Sequence, residues 1–306
     1  VNGSPADPAA TNFVSAQRPY ASRSGPRTSG AVTDDALMLR GLVRDRVGGF
    51  FHNAYPSTTP SICPVCRGPS EQSLCRRCWS AHAEFGELLA DRTIVLTYAL
   101  GGRSGAHHQS AHHLLAYKGY RGTPRVQRCA QDLRLMVSVV MDMHRNCLQG
   151  WLGGQWDSLT FVPSVERPDR GHPVAELANA ALPTFTRGPR LSKFLLTPGA
   201  RPGRELTADR FRVDERWRDR IEGRNVLIVD DSWVTGASAQ SAVIAVKRAG
   251  AATATVLCVA RWLRGDWADH KRLIGTLQDG FDVLRCPVTG HSCSHAAGFI
   301  ATPDAT

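Results

Sequence analysis

Two stretches of the chain are apolar without interruption over the length of a strand, NVLIVDD (225–231) and ATVLCVARW (254–262). Continuous runs of this kind predict strands buried on both faces, as in a parallel sheet. Between them, GASAQSAVIAVKRAG (236–250) has helical spacing and closes on Gly250, the usual residue just past a helix C-terminus. Strand, helix and strand joined by short turns predict a right-handed βαβ unit. Upstream, DSLTFVP (157–163) is a strand with a proline stop, and PVAELANAAL (173–182) is a helix with Pro173 in its first turn. The first half reads as helices over 34–47, 81–92, 105–119 and 126–148, around one strand, TIVLTYAL (93–100). Residues 1–34, rich in Ser, Pro, Ala, Gly and Thr, read as a disordered tail. The predicted fold class is α/β, a parallel sheet flanked by helices.

Composition changes this picture in three places. Hydrophobic residues make up 42% of the 306, enough for a packed core. No apolar run reaches the roughly 18 residues of a membrane span. The start lacks a basic stretch followed by an apolar one, so no secretory signal is expected and a cytoplasmic location is. The formal net charge is +10, which leaves two readings open: an anionic small ligand, or nucleic acid.

Four of the nine cysteines stand in CPVCRGPSEQSLCRRC as Cys63, Cys66, Cys75 and Cys78. Two C-x-x-C knuckles at this spacing predict a closed, tetrahedral, structural Zn²⁺ site rather than redox pairs. Arg67, Arg76 and Arg77 flank the knuckles, either to meet a phosphate backbone or to solvate a small ribbon. A second group, Cys286, His291, Cys293 and His295, is tightly and irregularly spaced, and a second zinc site is the less favoured reading. His108 and His112 stand four apart, and a helix face is preferred there to chelation.

In a parallel α/β sheet, ligands sit beyond the carboxyl ends of strands. Asp230 and Asp231 fall there, and the turn Ser232 to Ser238 enters a helix. The N–H groups of a helix N-terminus attract phosphate. Gly236 permits close approach, and Thr235 and Ser238 add hydroxyls. Carboxylates beside such a turn suit the vicinal hydroxyls of a ribose or a hydrated Mg²⁺. The ligand implied is a phosphorylated sugar. A plain helix cap needs one such side chain, not two acids and a T-G-x-S turn.

VLIVDDSWVTGAS resembles the PRPP-binding signature of type I phosphoribosyltransferases. The resemblance implies that Asp230 and Asp231 form the catalytic pair holding the ribose hydroxyls, that Thr235, Gly236, Ala237 and Ser238 hold the 5′-phosphate, and that Mg²⁺ accompanies PRPP. Ser232–Trp233 departs from the smaller residues common in that signature. With a four-cysteine zinc ribbon ahead of it, the chain resembles the ComF family of competence-associated proteins. LLAYKGYRG (114–122) and FVPSVERPDRGHPVAELANAAL (161–182) resemble that family's middle segments, so Lys118, Arg121, Arg167 and Arg170 are candidates for pyrophosphate. His172–Pro173 stands where the family commonly has Asn-Gln. The organisation implied is a tail (1–34), a helical or linker segment (35–60), a zinc ribbon (61–80), a phosphoribosyltransferase-like domain (81–265) and a C-terminal extension (266–306). The function implied is phosphoribosyl transfer to an unidentified acceptor with release of pyrophosphate. The alternative is a non-catalytic factor that binds single-stranded DNA or competence-type protein partners.

Overall fold

The computed structural model describes residues 33–102, 108–119, 123–164, 172–182, 191–199 and 205–291. Its centre is a six-stranded sheet. In chain order the strands are β1 (His52–Asn53), β2 (Arg92–Gly101), β3 (Ser158–Phe161), β4 (Ser192–Lys193), β7 (Asn225–Trp233) and β8 (Thr253–Arg264). A separate two-stranded ribbon pairs β5 (Leu196–Pro198) with β6 (Phe211–Val213). The order across the sheet is β1-β2-β8-β7-β3-β4. Only β1 is antiparallel to its neighbour; every other pair is parallel. The uninterrupted apolar runs are therefore central strands, covered on both sides.

The two cores separate by strand parity, because successive side chains point to opposite faces. Leu227, Val229, Leu257 and Val259 face one layer, and Val226, Ile228, Val256 and Cys258 face the other. The first layer holds α1 (Asp34–Val43), α4 (Pro124–Met143) and α6 (Pro173–Ala180), through residues such as Val43, Leu133 and Leu177. The second holds α7 (Ala237–Arg248) and the cysteine corner, through Ala242, Val243, Val246, Ile62, Val65 and Leu74. Burying each large aliphatic side chain contributes roughly 1.5–3 kcal/mol.

Several helix boundaries differ from the sequence reading. The helix expected at 81–92 is α2 (Arg76–Phe85) with a 3₁₀ turn at Gly86–Leu88. It begins on Cys75 as N-cap and stops at Gly86, whose φ of 50° leaves the helical region. The helix expected at 126–148 breaks at His144 into α4 and α5 (Arg145–Leu152). At the break His144 leaves helical geometry (φ −108°, ψ 12°), and its buried ring donates from Nε2 to the Val283 carbonyl at 2.7 Å. The helix expected at 105–119 is α3 (Gln109–Ala116), with 103–107 outside the described residues. Of the tail expected at 1–34, residues 1–32 also lie outside them, while Thr33 caps α1 and Asp34 begins it.

The C-terminal segment carries no clear element in its sequence pattern, yet α8 (Ala268–Ile274) packs there. Phe281, Val283, Leu284 and Val288 enter the same core as α1 and α4. Arg40 of α1 grips Asp282 through Nε and Nη2, at 3.0 and 2.6 Å. Among the described residues, no helix is long and apolar enough to cross a membrane.

Candidate functional site

The chain leaves β3 toward β4 on one side and leaves β7 toward β8 on the other. The carboxyl ends of β3 and β7 therefore form a topological switch point, where open α/β sheets bind ligands. The apolar run alone ends the second strand at Asp231, but β7 continues to Trp233, paired with Arg261 of β8. Its other neighbour stops sooner. β3 follows β7 to Val229, and Val162 N–H makes one more bond to the Val229 carbonyl. Asp230 and Asp231 thus lie where one side of β7 has lost its partner strand.

By parity the two acids serve opposite faces. Asp231 is buried and fully engaged. Lys118, just past α3, donates to both of its oxygens, at 2.9 and 2.8 Å. Ser232 Oγ donates at 2.7 Å, and the buried Tyr117 hydroxyl donates to the same carboxylate. Asp230 accepts the Asp231 N–H at 2.9 Å and sits beside Cys258 in register. Burial, and then the charge of Asp231, push the Asp230 carboxyl up to about 7. The charges of Lys118 and Arg210 act in the opposite direction. Burial also pushes the Tyr117 hydroxyl and the Cys258 thiol well above their usual ranges. Sequence reasoning misses Tyr117, Cys258 and Arg210. Only Tyr117 carries a signal, its place next to Lys118.

The turn after β7 is anchored from below. Gly236 has a φ of 84°, and a Cβ there would meet the Trp233 ring at 2.4 Å. Trp233 is buried, so it is the floor of the turn. Buried Arg261 donates to the Trp233 carbonyl at 2.8 Å and to that of Val234, fixing the turn from β8. Thr235 Oγ1 accepts the Ala237 N–H at 3.3 Å. α7 has no side-chain cap at Gly236 and no acid in its first turn. The Ser238 and Ala239 N–H groups lack an intrahelical acceptor, as in any first turn. The turn can therefore take an anion. A cleft of about 450 Å³ lined by Phe211, Arg212 and Arg248 lies at the other end of α7, away from the aspartates.

Of the four candidate pyrophosphate residues, Lys118 is held by Asp231. Arg121, Arg167 and Arg170 lie outside the described residues. His172 caps α6 by accepting the Val174 N–H at 3.2 Å, and its ring stacks on Phe161. The residue expected at 172 from the resemblance is an amide, and here it is a helix-capping imidazole.

Cys63, Cys66, Cys75 and Cys78 converge, with all four sulfurs within 4.8 Å of one another. Cys66 and Cys75 sulfurs are 3.7 Å apart. Four thiols from two knuckles fit a tetrahedral structural Zn²⁺. With thiols alone the group divides its protons: the bond with Cys63 pulls Cys66 down, and the bond with Cys66 pushes Cys63 up. Arg67, a surface cation in the sequence reading, is buried and donates to the Pro64 and Thr93 carbonyls. Arg261 lies against Gly68 of the first knuckle, and its charge favours the Cys66 thiolate. One guanidinium thus joins the thiol cluster to the turn after β7.

These features define an α/β protein with a mostly parallel sheet and a four-cysteine cluster near the start of its described chain. The chain matches no known family model and no curated protein.

Proposed function

We propose that the chain is a phosphoribosyltransferase-type protein that binds Mg²⁺–PRPP at the carboxyl end of β7. One observation carries the reading: a buried acid pair at the switch point runs directly into an uncapped, acid-free helix N-terminus. PRPP presents vicinal hydroxyls and a phosphate on one ribose, the two kinds of group that such an arrangement can hold. In this reading Asp230 and Asp231 take the hydroxyls, and Thr235 to Ser238 take the 5′-phosphate. Mg²⁺ belongs with the pyrophosphate. The resemblance to ComF proteins supplies Arg121, Arg167 and Arg170 as further pyrophosphate contacts.

The reaction breaks the bond from the anomeric carbon to pyrophosphate as an acceptor bonds to that carbon. Positive charge develops on the sugar, and the nearby carboxylates stabilise it. Asp231 has no spare oxygen while Lys118 holds both. Ribose must therefore displace Lys118, which is 43% exposed and free to turn toward the pyrophosphate. Lys118 then acts twice, as the resident cation of the empty site and as an anion contact in the full one.

The test is thermal stabilisation by PRPP with Mg²⁺. Wild type is expected to shift upward and Asp231→Ala to shift little. A flat response in wild type would overturn the reading. Pyrophosphate release across a panel of amine and base acceptors then separates turnover from sensing. A second reading rests on α2, where Arg76, Arg77 and the 48% exposed Trp79 share the outer surface. Basic residues beside an aromatic suit single-stranded nucleic acid. Salt-dependent DNA binding lost in Trp79→Ala supports it.

A further inference from the structure

We propose a second metal centre, for a zinc-type cation, formed by His144, Cys147 and Cys286. Their ligand atoms lie within 4.8 Å of one another, although 139 residues separate Cys147 from Cys286.

The first observation is an architectural repeat. In the four-cysteine corner, the Cys63 carbonyl accepts from Arg67 N–H at 3.0 Å, and Cys63 N–H donates to the Gly68 carbonyl at 2.8 Å. Gly68 N–H then points at the Cys66 sulfur, 3.4 Å away. The segment Cys286-Pro-Val-Thr-Gly-His repeats these bonds position for position. The Cys286 carbonyl accepts from Gly290 N–H at 2.8 Å, and Cys286 N–H donates to the His291 carbonyl at 2.9 Å. His291 N–H donates to Thr289 Oγ1 at 3.3 Å. Even the backbone hand agrees, with φ of 58° at Arg67 and 73° at Gly290. Residues 286–291 are a metal knuckle in which Thr289 stands where the second sulfur would be.

The other half repeats as well. Cys75 is the N-cap of α2, with Cys78 three residues on. His144 is the N-cap of α5, with Cys147 three residues on. Both centres thus join a knuckle to the first turn of a helix.

The second observation is the state of His144, which is fully buried. Its Nε2 faces the Val283 carbonyl and must carry the proton. Nδ1 is left with its lone pair, and it has no hydrogen-bond partner among the described residues. A metal-bound imidazole characteristically gives its other N–H to a carbonyl in this way. Two thiolates and an imidazole select zinc among the common divalent cations. With Thr289 in the fourth place of the knuckle, the described residues supply three ligands to the centre. It clamps the C-terminal segment onto the α4–α5 junction. Sequence spacing groups Cys286 with His291, Cys293 and His295 instead. His291 lends the knuckle its backbone, and Cys293 and His295 lie outside the described residues.

Metal content of the full chain, purified under reducing conditions, tests the inference. Two zinc ions per chain are expected in wild type and one in Cys286→Ser or Cys147→Ser. Thr289→Cys adds a third sulfur as a fourth protein ligand and is expected to slow zinc transfer to a chelator about tenfold. One zinc per chain in wild type, unchanged by Cys286→Ser, overturns the proposal. So does a Cys147–Cys286 disulfide in the freshly reduced protein, or a T289C chain that loses zinc as fast as wild type.

Discussion

The cysteine corner and the end of β7 both concentrate acidic groups in buried space, and they balance that charge in opposite ways. The corner holds four thiols and needs a cation from outside to make all four thiolates at once. The end of β7 supplies its own cation, because Lys118 already spans both oxygens of Asp231. A group closed by a permanent ion is a structural part. A group closed by a displaceable lysine can exchange it for a ligand. On the proposed function, that is the difference between scaffold and site.

The largest effect is expected where that difference is sharpest. Cys75→Ser leaves three thiols for one metal and alters the N-cap of α2. A closed zinc site of this kind is worth on the order of 10 kcal/mol in small domains. The melting temperature is expected to fall by about 10 °C or more, read by circular dichroism. Arg261 extends the consequence, since it touches the first knuckle and holds the carbonyls of Trp233 and Val234. On the proposed function, chelation of zinc is therefore expected to weaken Mg²⁺–PRPP binding as well. If chelation leaves both stability and binding intact, the corner is not scaffold and the comparison fails.

The contrast also shows what the sequence exposes. The thiol corner is legible because its ligands lie within sixteen residues, and spacing alone places them together. The Asp-Asp motif and the glycine turn are legible for the same reason. Their surroundings are not. Tyr117 and Lys118 reach Asp231 from more than 110 residues away. His144, at the helix break, bonds a carbonyl 139 residues downstream. Trp233 is the instructive case. As a large aromatic in a ligand motif it invites a role on the ligand, and packing makes it the floor on which Gly236 turns. Local spacing reveals sites whose parts are neighbours in the chain, while packing decides the parts that are not.

A middle-sized effect tests the resident lysine. Asp231→Asn keeps the shape but removes the charge that Lys118 and Tyr117 address. Lys118 is partly exposed and recovers solvent, so the ligand-free protein is expected to lose only about 1–2 kcal/mol. Urea denaturation measures this. A loss above about 4 kcal/mol would mean that the pair is a structural bridge rather than an exchangeable one.

The remaining expected effect is of similar size and has the opposite sign. Asp230 has a folded pKa of about 7, against 3.8 for an ordinary aspartate. Between those values the folded chain holds a proton that the unfolded chain has released. Stability attributable to this group is therefore present at low pH and is lost as pH rises through 7. Asp230→Asn removes the ionisation, so it is expected to stabilise the ligand-free protein at pH 8 by about 2 kcal/mol and to make little difference at pH 4. Melting temperatures of the two proteins from pH 4 to pH 8 should diverge in that direction. If Asp230 holds the sugar of PRPP as proposed, the same substitution should also weaken Mg²⁺–PRPP binding, since the charged carboxylate is the form that would stabilise a cationic sugar. A residue whose loss strengthens the fold and weakens binding is held at strain for a ligand. If Asp230→Asn is neutral at pH 8, the acid is already comfortable in its pocket, and the case for a ligand there rests on Asp231 alone.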